Sequence, residues 1–355
     1  MPFNPFTDDL RIRAVRPLVP PAVILEEIAA SEAALQFVAD RRREIADALH
    51  GRDPRLVVVV GPCSIHDVEA AEEYGERLLQ LSQEVGDRLI LVMRTYFEKP
   101  RTVGGWKGLI NDPDLDGSYH INKGLRMARG LLKRLAEMRV AVAVEFLDTI
   151  IPQYLADLVS WAAIGARTTE SQVHRELASG LSMPVGFKNS TEGYTRTAVD
   201  AVRAAASPHW FPSVTKEGVT AIFQTSGNDA CHVILRGGHR TGPNYQREHV
   251  NEVVQQLLDH GLPGRVMVDC SHGNSGKIPA RQPAVAENVV SQIRDGSNQI
   301  FAVMMESFLV EGRQDLSSRE PLRYGQSITD GCMGFEETMQ VIDLLASAQK
   351  QAFVR

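Results

Sequence analysis

Eight short apolar runs recur along this chain, and each ends at a residue able to do chemistry. Leu56–Val60 leads into Gly61-Pro62-Cys63, Leu89–Met93 into Arg94, Val140–Val144 into Glu145, and Ala162–Ala166 into Arg167. Pro184–Phe187 ends at Lys188, Val233–Leu235 at Arg236, Val266–Asp269 leads to His272, and Phe301–Met305 to Glu306. Continuous apolar runs describe strands buried on both faces, as parallel strands are. In an eight-stranded β/α barrel the active site lies at the C-terminal ends of the strands. The pattern therefore predicts an α/β fold, a (β/α)8 TIM barrel, with these endings gathered at one mouth.

Segments of helical period fall between the runs, at 68–85, 122–139, 152–159, 172–181, 250–260 and 284–294, with a last one at 336–349. Residues 1–50 read differently. A polar segment, Thr7–Arg13, and a proline break, Pro17–Pro21, precede helices marked by a broken apolar stripe of Ile24, Ile28, Leu35, Val38, Ile45 and Leu49. This is expected to be an N-terminal regulatory or assembly extension outside a catalytic barrel of 51–355. One connection, between the fifth and sixth runs, is too long for a simple crossover. It holds a helix at 195–206 and two strand-like pieces around Thr215-Lys216-Glu217-Gly218. A helix and β-hairpin inserted at about 194–226 are predicted, peripheral and suited to assembly or regulation.

A formal charge of -6 over 355 residues argues against a nucleic-acid binder, which would show a basic face. An anionic small molecule stays open, because exposed charges are screened over about 8 Å. No apolar stretch reaches the roughly 18 residues of a membrane span. The opening Met1–Phe6 is followed by charges and lacks a secretory core. Four cysteines make no disulfide framework in a chain this long. A cytoplasmic enzyme, with no membrane partner, is expected.

Two sets of residues carry the chemistry. Cys63, His272, Glu306 and Asp330 offer sulfur, nitrogen and oxygen donors. That mixture suits one divalent ion such as Mn, Fe, Co or Zn and is poor for Mg or Ca. Alone, Cys63 reads as a small buried hydrophobe and His272 as a structural histidine; convergence at one barrel mouth is what would make them ligands. The second set is cationic: Arg94, Lys99, Arg101, Arg167, Lys188 and Arg236. Uncompensated buried cations are costly, so their concentration implies an anionic ligand carrying phosphate and carboxylate. Ser271–Lys277 superficially suggests a nucleotide loop, but Ser271 stands where a P-loop needs its first glycine. It is read as an active-site turn.

Several stretches resemble the class I, short 3-deoxy-D-arabino-heptulosonate-7-phosphate (DAHP) synthases. They are Gly61–Asp67, Met93–Thr102, Gly165–Gln172, Pro184–Asn189, Ile234–Gly238, Asp269–Gly273 and Tyr324–Asp330, in order along nearly the whole chain. The resemblance implies condensation of phosphoenolpyruvate with D-erythrose 4-phosphate and release of phosphate, the first step of the shikimate pathway. It makes Cys63, His272, Glu306 and Asp330 metal ligands. Arg94, Lys99, Arg167, Lys188 and Arg236 become the phosphoenolpyruvate pocket, and Lys99-Pro100-Arg101-Thr102 the erythrose phosphate site. Asp330 also borders the substrates. Lys99 and Glu145 carry catalysis with Cys63 and His272. Two departures stand out: Val103-Gly104-Gly105-Trp106 in the loop after Thr102, and a turn about two residues longer at His239–Gly242. Neither touches a ligand so assigned.

The same resemblance makes the arm and hairpin a feedback site for an aromatic amino acid in a homo-oligomer, dimer or tetramer. Asp8 and Asp9 from a neighbouring subunit would join Pro152, Leu181, Ser182, Phe211 and Ser213. An aromatic ring and a carboxylate can meet the effector's ring and ammonium, although ordinary core and interface packing also accounts for these residues. Ser213 leans the effector toward phenylalanine. Apart from the resemblance, Cys332 lies two residues past Asp330 and is expected either to stay a reduced bystander, as cytosolic cysteines do, or to form a disulfide with Cys63 once metal is lost. Two alternatives remain: a sibling enzyme condensing phosphoenolpyruvate with a longer sugar phosphate, and a non-catalytic aromatic amino-acid sensor.

Overall fold

Each apolar run forms a parallel strand, and the eight close into one barrel in a computed structural model that describes residues 7–316 and 321–353. The opening stretch Met1–Phe6 lies outside the described residues. In chain order the first strands are β1 (Leu56–Gly61), β2 (Leu89–Arg94), β3 (Val142–Glu145), β4 (Trp161–Ile164) and β5 (Val185–Lys188). A separate hairpin of β6 (Trp210–Val214) and β7 (Thr220–Gln224) follows, then β8 (Cys231–Leu235), β9 (Val266–Asp269) and β10 (Ile300–Glu306). The barrel order is β1-β10-β9-β8-β5-β4-β3-β2. Every residue of these eight strands is buried, because helices cover the outside and side chains fill the inside. Burial of each Val, Leu or Ile contributes about 1.5–3 kcal/mol, so the barrel wall is the main source of stability.

The helices α1 (Pro21–Glu27), α2 (Glu32–Leu49), α3 (Val68–Val85), α4 (Ile121–Glu137), α5 (Pro152–Leu155), α6 (Gln172–Gly180) and α7 (Arg196–Ala205) come first. α8 (Arg247–Asp259), α9 (His272–Ser275), α10 (Gln282–Arg294) and α11 (Phe335–Phe353) complete the set. α3 has the expected bounds, and the Asp67 carboxylate caps it by accepting from the Glu69 and Ala70 amides. The broken stripe from Ile24 to Leu49 forms the two helices α1 and α2, because the Ser31 hydroxyl accepts from the Ala34 amide and starts a new helix. One segment differs from expectation. The segment at 152–159 shrinks to the single turn of α5 and a 3-10 turn, Ala156–Leu158.

α1 and α2 lie outside the barrel with Ile24, Phe37, Val38, Ile45 and Leu49 buried against it. Arg42 of α2 fastens this layer by donating to the carbonyls of Val159 and Ala156. The hairpin pairs Trp210 with Gln224 and Val214 with Thr220. Its alternation puts Phe211 inward while Trp210 and Ile222 face solvent, 65% and 76% exposed. The Ala22 amide donates to the Lys216 carbonyl at 2.7 Å, joining the N-terminal layer to the hairpin turn. Among the described residues no helix is long and apolar enough to cross a membrane.

Candidate active site

Strand register sets the levels of the barrel mouth. Gly61 pairs with Glu306, and Cys63 follows two residues above the end of β1. A Cβ at Gly61 would stand 2.9 Å from the Arg94 backbone, so the close approach of β1 to β2 requires glycine there. Asp330 arrives from the segment after β10, positioned by Ser327, which donates to the Asp330 carbonyl, and by Thr329, whose hydroxyl meets that of Ser64 at 2.7 Å. The Cys63 thiol and carboxylate oxygens of Glu306 and Asp330 fall within 4.8 Å of one another.

His272 borders this cluster without belonging to its tight core. Its Nε2 lies 3.8 Å from Glu306 Oε1, while Nδ1 faces Asp269 Oδ2 at 2.9 Å and Ser271 Oγ at 2.7 Å. A ring nitrogen tied to a carboxylate, with the other turned toward a donor cluster, is the arrangement that orients a metal-binding histidine. Burial pushes the Cys63 thiol up, reinforced by the Glu306 charge. Burial would also raise the Asp330 carboxyl, but Lys277 and Lys99 hold it low. A thiol, two carboxylates and an oriented imidazole fit a borderline divalent cation.

The adjoining cavity, about 160 Å³, is lined by six cationic side chains, Lys99, Arg101, Arg167, Lys188, Arg236 and Lys277, against two carboxylates, Glu145 and Asp330. That imbalance selects an anion. Lys188 closes β5 and donates to Asp269 at 3.0 Å. Burial opposes ionisation of Asp269, yet Lys188 and then His272 hold its carboxyl well below the usual range. The Arg236 guanidinium is pulled down by burial, with Asp269 and Glu306 countering. Its backbone is fixed by the Asn189 side chain, which accepts from the Arg236 amide at 2.8 Å. Arg167 donates to the Pro100 carbonyl and Arg101 to the Trp106 carbonyl, fastening the loop after β2 over the mouth.

Glu145 ends β3 and lies against Gly165, where an added Cβ would meet its Oε1 at 2.2 Å. Lys99 reaches inward, its Nζ 3.1 Å from Cys63 Sγ. Burial alone would lower the Lys99 ammonium, but Cys63 and Glu306 raise it, so it stays charged.

Arg94 and Thr102 stand apart from the cavity lining. Arg94 is buried below it, paired with Glu306 at 3.1 Å and stacked 4.0 Å over the Tyr96 ring. Thr102 is exposed on the loop. Sequence reasoning also passed over Asp269, Lys277, Thr191 and Thr329, which support or line the site. Asp269 carried a usable signal, since a carboxylate closing a buried strand needs a cationic partner.

A second cavity, about 520 Å³, lies between α5, α6 and the hairpin, and its lining includes Pro152, Leu181, Ser182, Phe211 and Ser213. The Phe211 and Phe223 rings stand 6.1 Å apart. Asp8 and Asp9 are exposed on the arm and do not line it in the single chain.

Residues 28–343 match the model of the DAHP synthetase I family. The chain is 57% identical over 343 residues to the Phe-sensitive phospho-2-dehydro-3-deoxyheptonate aldolase of Escherichia coli (strain K12), covering 97% of each. It is 52% identical over 347 residues to the Trp-sensitive form from the same strain, covering 98% of this chain and 99% of that one. The solved structure of phospho-2-dehydro-3-deoxyheptonate aldolase from Francisella tularensis SCHU S4 superposes with a TM-score of 0.94 at 52% identity, covering 96% of this chain and 99% of that one.

Proposed function

We propose that this chain, which belongs to the DAHP synthetase I family, joins phosphoenolpyruvate to D-erythrose 4-phosphate and water, giving DAHP and phosphate. The observation that carries this reading is the meeting of two chemistries at one mouth. Six cationic side chains face a cavity that opens beside the Cys63, Glu306 and Asp330 cluster.

Arg167, Lys188 and Arg236 bind the phosphate and carboxylate of phosphoenolpyruvate, and Arg94 acts from below by fixing Glu306. Lys99, Arg101 and Thr102 receive the sugar phosphate. C3 of the enol ether attacks the aldehyde carbon; water adds at C2, and the C2–O bond to phosphate breaks. A divalent ion held by Cys63, His272, Glu306 and Asp330 supplies Lewis acidity when bound. Lys99, held as the ammonium, donates a proton to the aldehyde oxygen as charge develops there. Glu145 accepts a proton from the water adding at C2. The cationic wall orients both anions and stabilises the departing phosphate.

We assign the second cavity to a feedback effector. Its ring would stack near Phe211, and its ammonium would meet Asp8 and Asp9 of a neighbouring copy. Exposed apolar residues on the arm (Leu10, Ile12, Val15) and hairpin (Trp210, Ile222) support assembly into a homo-oligomer. Residues 1–50 and the insertion then serve regulation, and the barrel serves catalysis.

The decisive assay follows phosphate release by the purified protein. Release should require both phosphoenolpyruvate and erythrose 4-phosphate. Release with phosphoenolpyruvate alone, or preference for a five-carbon sugar phosphate, would overturn the assignment.

A further inference from the structure

We propose that the floor of the barrel, opposite the catalytic mouth, holds a second anion site for a small organic carboxylate with a compact apolar body. A cavity of about 330 Å³ opens there and shares no lining residue with the catalytic or effector cavities. Its polar wall carries three guanidinium groups, Arg55, Arg265 and Arg294. Its apolar wall is made by the starts of two strands, Leu56 of β1 and Ile300 and Phe301 of β10.

The three arginines are not equivalent. Arg55 is neutralised by Asp53 at 2.5 Å and Glu44 at 3.0 Å. Arg265, just before β9, donates to the Ala48 carbonyl at 3.0 Å. Arg294, closing α10, donates to the Ser347 hydroxyl at 3.0 Å, and its Nε is buried without a hydrogen-bond partner. Among the described residues neither Arg265 nor Arg294 has a carboxylate partner. The adjacent acid, Asp295, pairs outward with Arg247 at 2.8 Å. Burial depresses the Arg265 guanidinium with no neighbouring charge to offset it.

Two half-buried cations without counter-ions are a standing electrostatic cost that an anion would remove. A planar guanidinium fork matches a carboxylate. Inorganic phosphate would satisfy the arginines but would leave its remaining oxygens against Leu56, Ile300 and Phe301. A carboxylate attached to an aryl or branched alkyl group satisfies both walls. Phe301 is a firm surface for it, since its ring is buried and packed edge-on against His232 at 4.8 Å.

The test uses para-bromobenzoate on the full-length protein, with para-bromobenzamide as its uncharged counterpart. In crystals soaked with the acid, a bromine anomalous peak should appear in the floor cavity, and the amide should give none there. Calorimetric binding of the acid should weaken about tenfold or more in Arg265→Gln and in Arg294→Gln. Both variants should keep the wild-type condensation rate, which reports that they fold. If Arg265→Gln proves inactive, Arg294→Gln and the acid–amide comparison on the unaltered protein still decide. A peak confined to the mouth or the effector cavity, equal binding of acid and amide, or unchanged affinity in active variants would overturn the proposal. Because the readout is binding at the floor, its failure would leave the reading of the mouth intact.

Discussion

Lys99 Nζ lies 3.1 Å from Cys63 Sγ and 3.2 Å from the Cys63 carbonyl oxygen. One end of the loop proposed to receive the sugar phosphate is therefore anchored on a proposed metal ligand, so loss of either group disturbs both halves of the site. Cys63→Ala should lower metal-dependent turnover on the order of a thousandfold, as expected when a Lewis acid worth several kcal/mol is lost. The fold should survive, because the small side chain leaves the strands in place. Circular dichroism and turnover with excess Mn check this; near-normal activity would refute the role of Cys63.

Arg94 and Glu306 form an ion pair whose side chains are 1% and 3% exposed. Arg94→Met would fill similar volume but strand the Glu306 charge in the barrel. Breaking one side of a buried pair costs about 3–5 kcal/mol. Urea unfolding of the chelated protein should show a loss of that order. Added Mn should restore part of it by supplying positive charge beside Glu306. Equal stability of variant and wild type after chelation would contradict the pairing.

The eight strands could be read from sequence because an uninterrupted apolar run has few other destinations, and the long fifth-to-sixth connection exposed the hairpin. The depth of each run ending could not. Arg94 and Arg236 both close apolar runs, yet Arg236 lines the cavity and Arg94 lies beneath it. Strand stagger decides the difference: Arg94 pairs with Ala143, two residues short of Glu145 on the neighbouring strand. Asp269 was read as the end of a run, although it holds both Lys188 and His272. The Lys188–Asp269 pair joins residues 81 positions apart and has no local spacing to betray it, whereas His272 lies three residues beyond Asp269.

Ser213 of β6 lines the cavity assigned to the proposed effector, beside Phe211. Phenylalanine should inhibit more strongly than tyrosine or tryptophan in steady-state assays. Phe211→Ala should weaken inhibition about tenfold while leaving the uninhibited rate unchanged, consistent with the loss of one stacking ring and its buried area. Far stronger inhibition by tyrosine would overturn the inference from Ser213.

Cys332 Sγ accepts from the Cys63 amide at 3.4 Å, and all four cysteines are free and buried. Bound metal would keep the Cys63 sulfur committed. After chelation in air, the thiol count of unfolded protein should fall by two per chain, and activity should return only with both reductant and metal. A constant thiol count would dismiss Cys63–Cys332 oxidation.

His232 lies inside the barrel, with Trp161 Nε1 donating to its Nε2 at 3.2 Å and Nδ1 facing the Ala230 carbonyl at 3.3 Å. The neutral ring satisfies both contacts, whereas a protonated ring would set an N–H against the indole N–H. Burial accordingly pushes the imidazole down from 6.5 to about 4. A depressed folded value means this stability is present above pH about 6.5 and is lost as pH falls toward 4. The interval corresponds to about 3 kcal/mol, and below pH about 4 this group adds no further loss. His232→Gln keeps an acceptor for Trp161 without titrating. Its unfolding free energy should therefore fall less steeply than wild type between pH 6.5 and 4. Parallel pH profiles for the two proteins would show that His232 is not the group responsible.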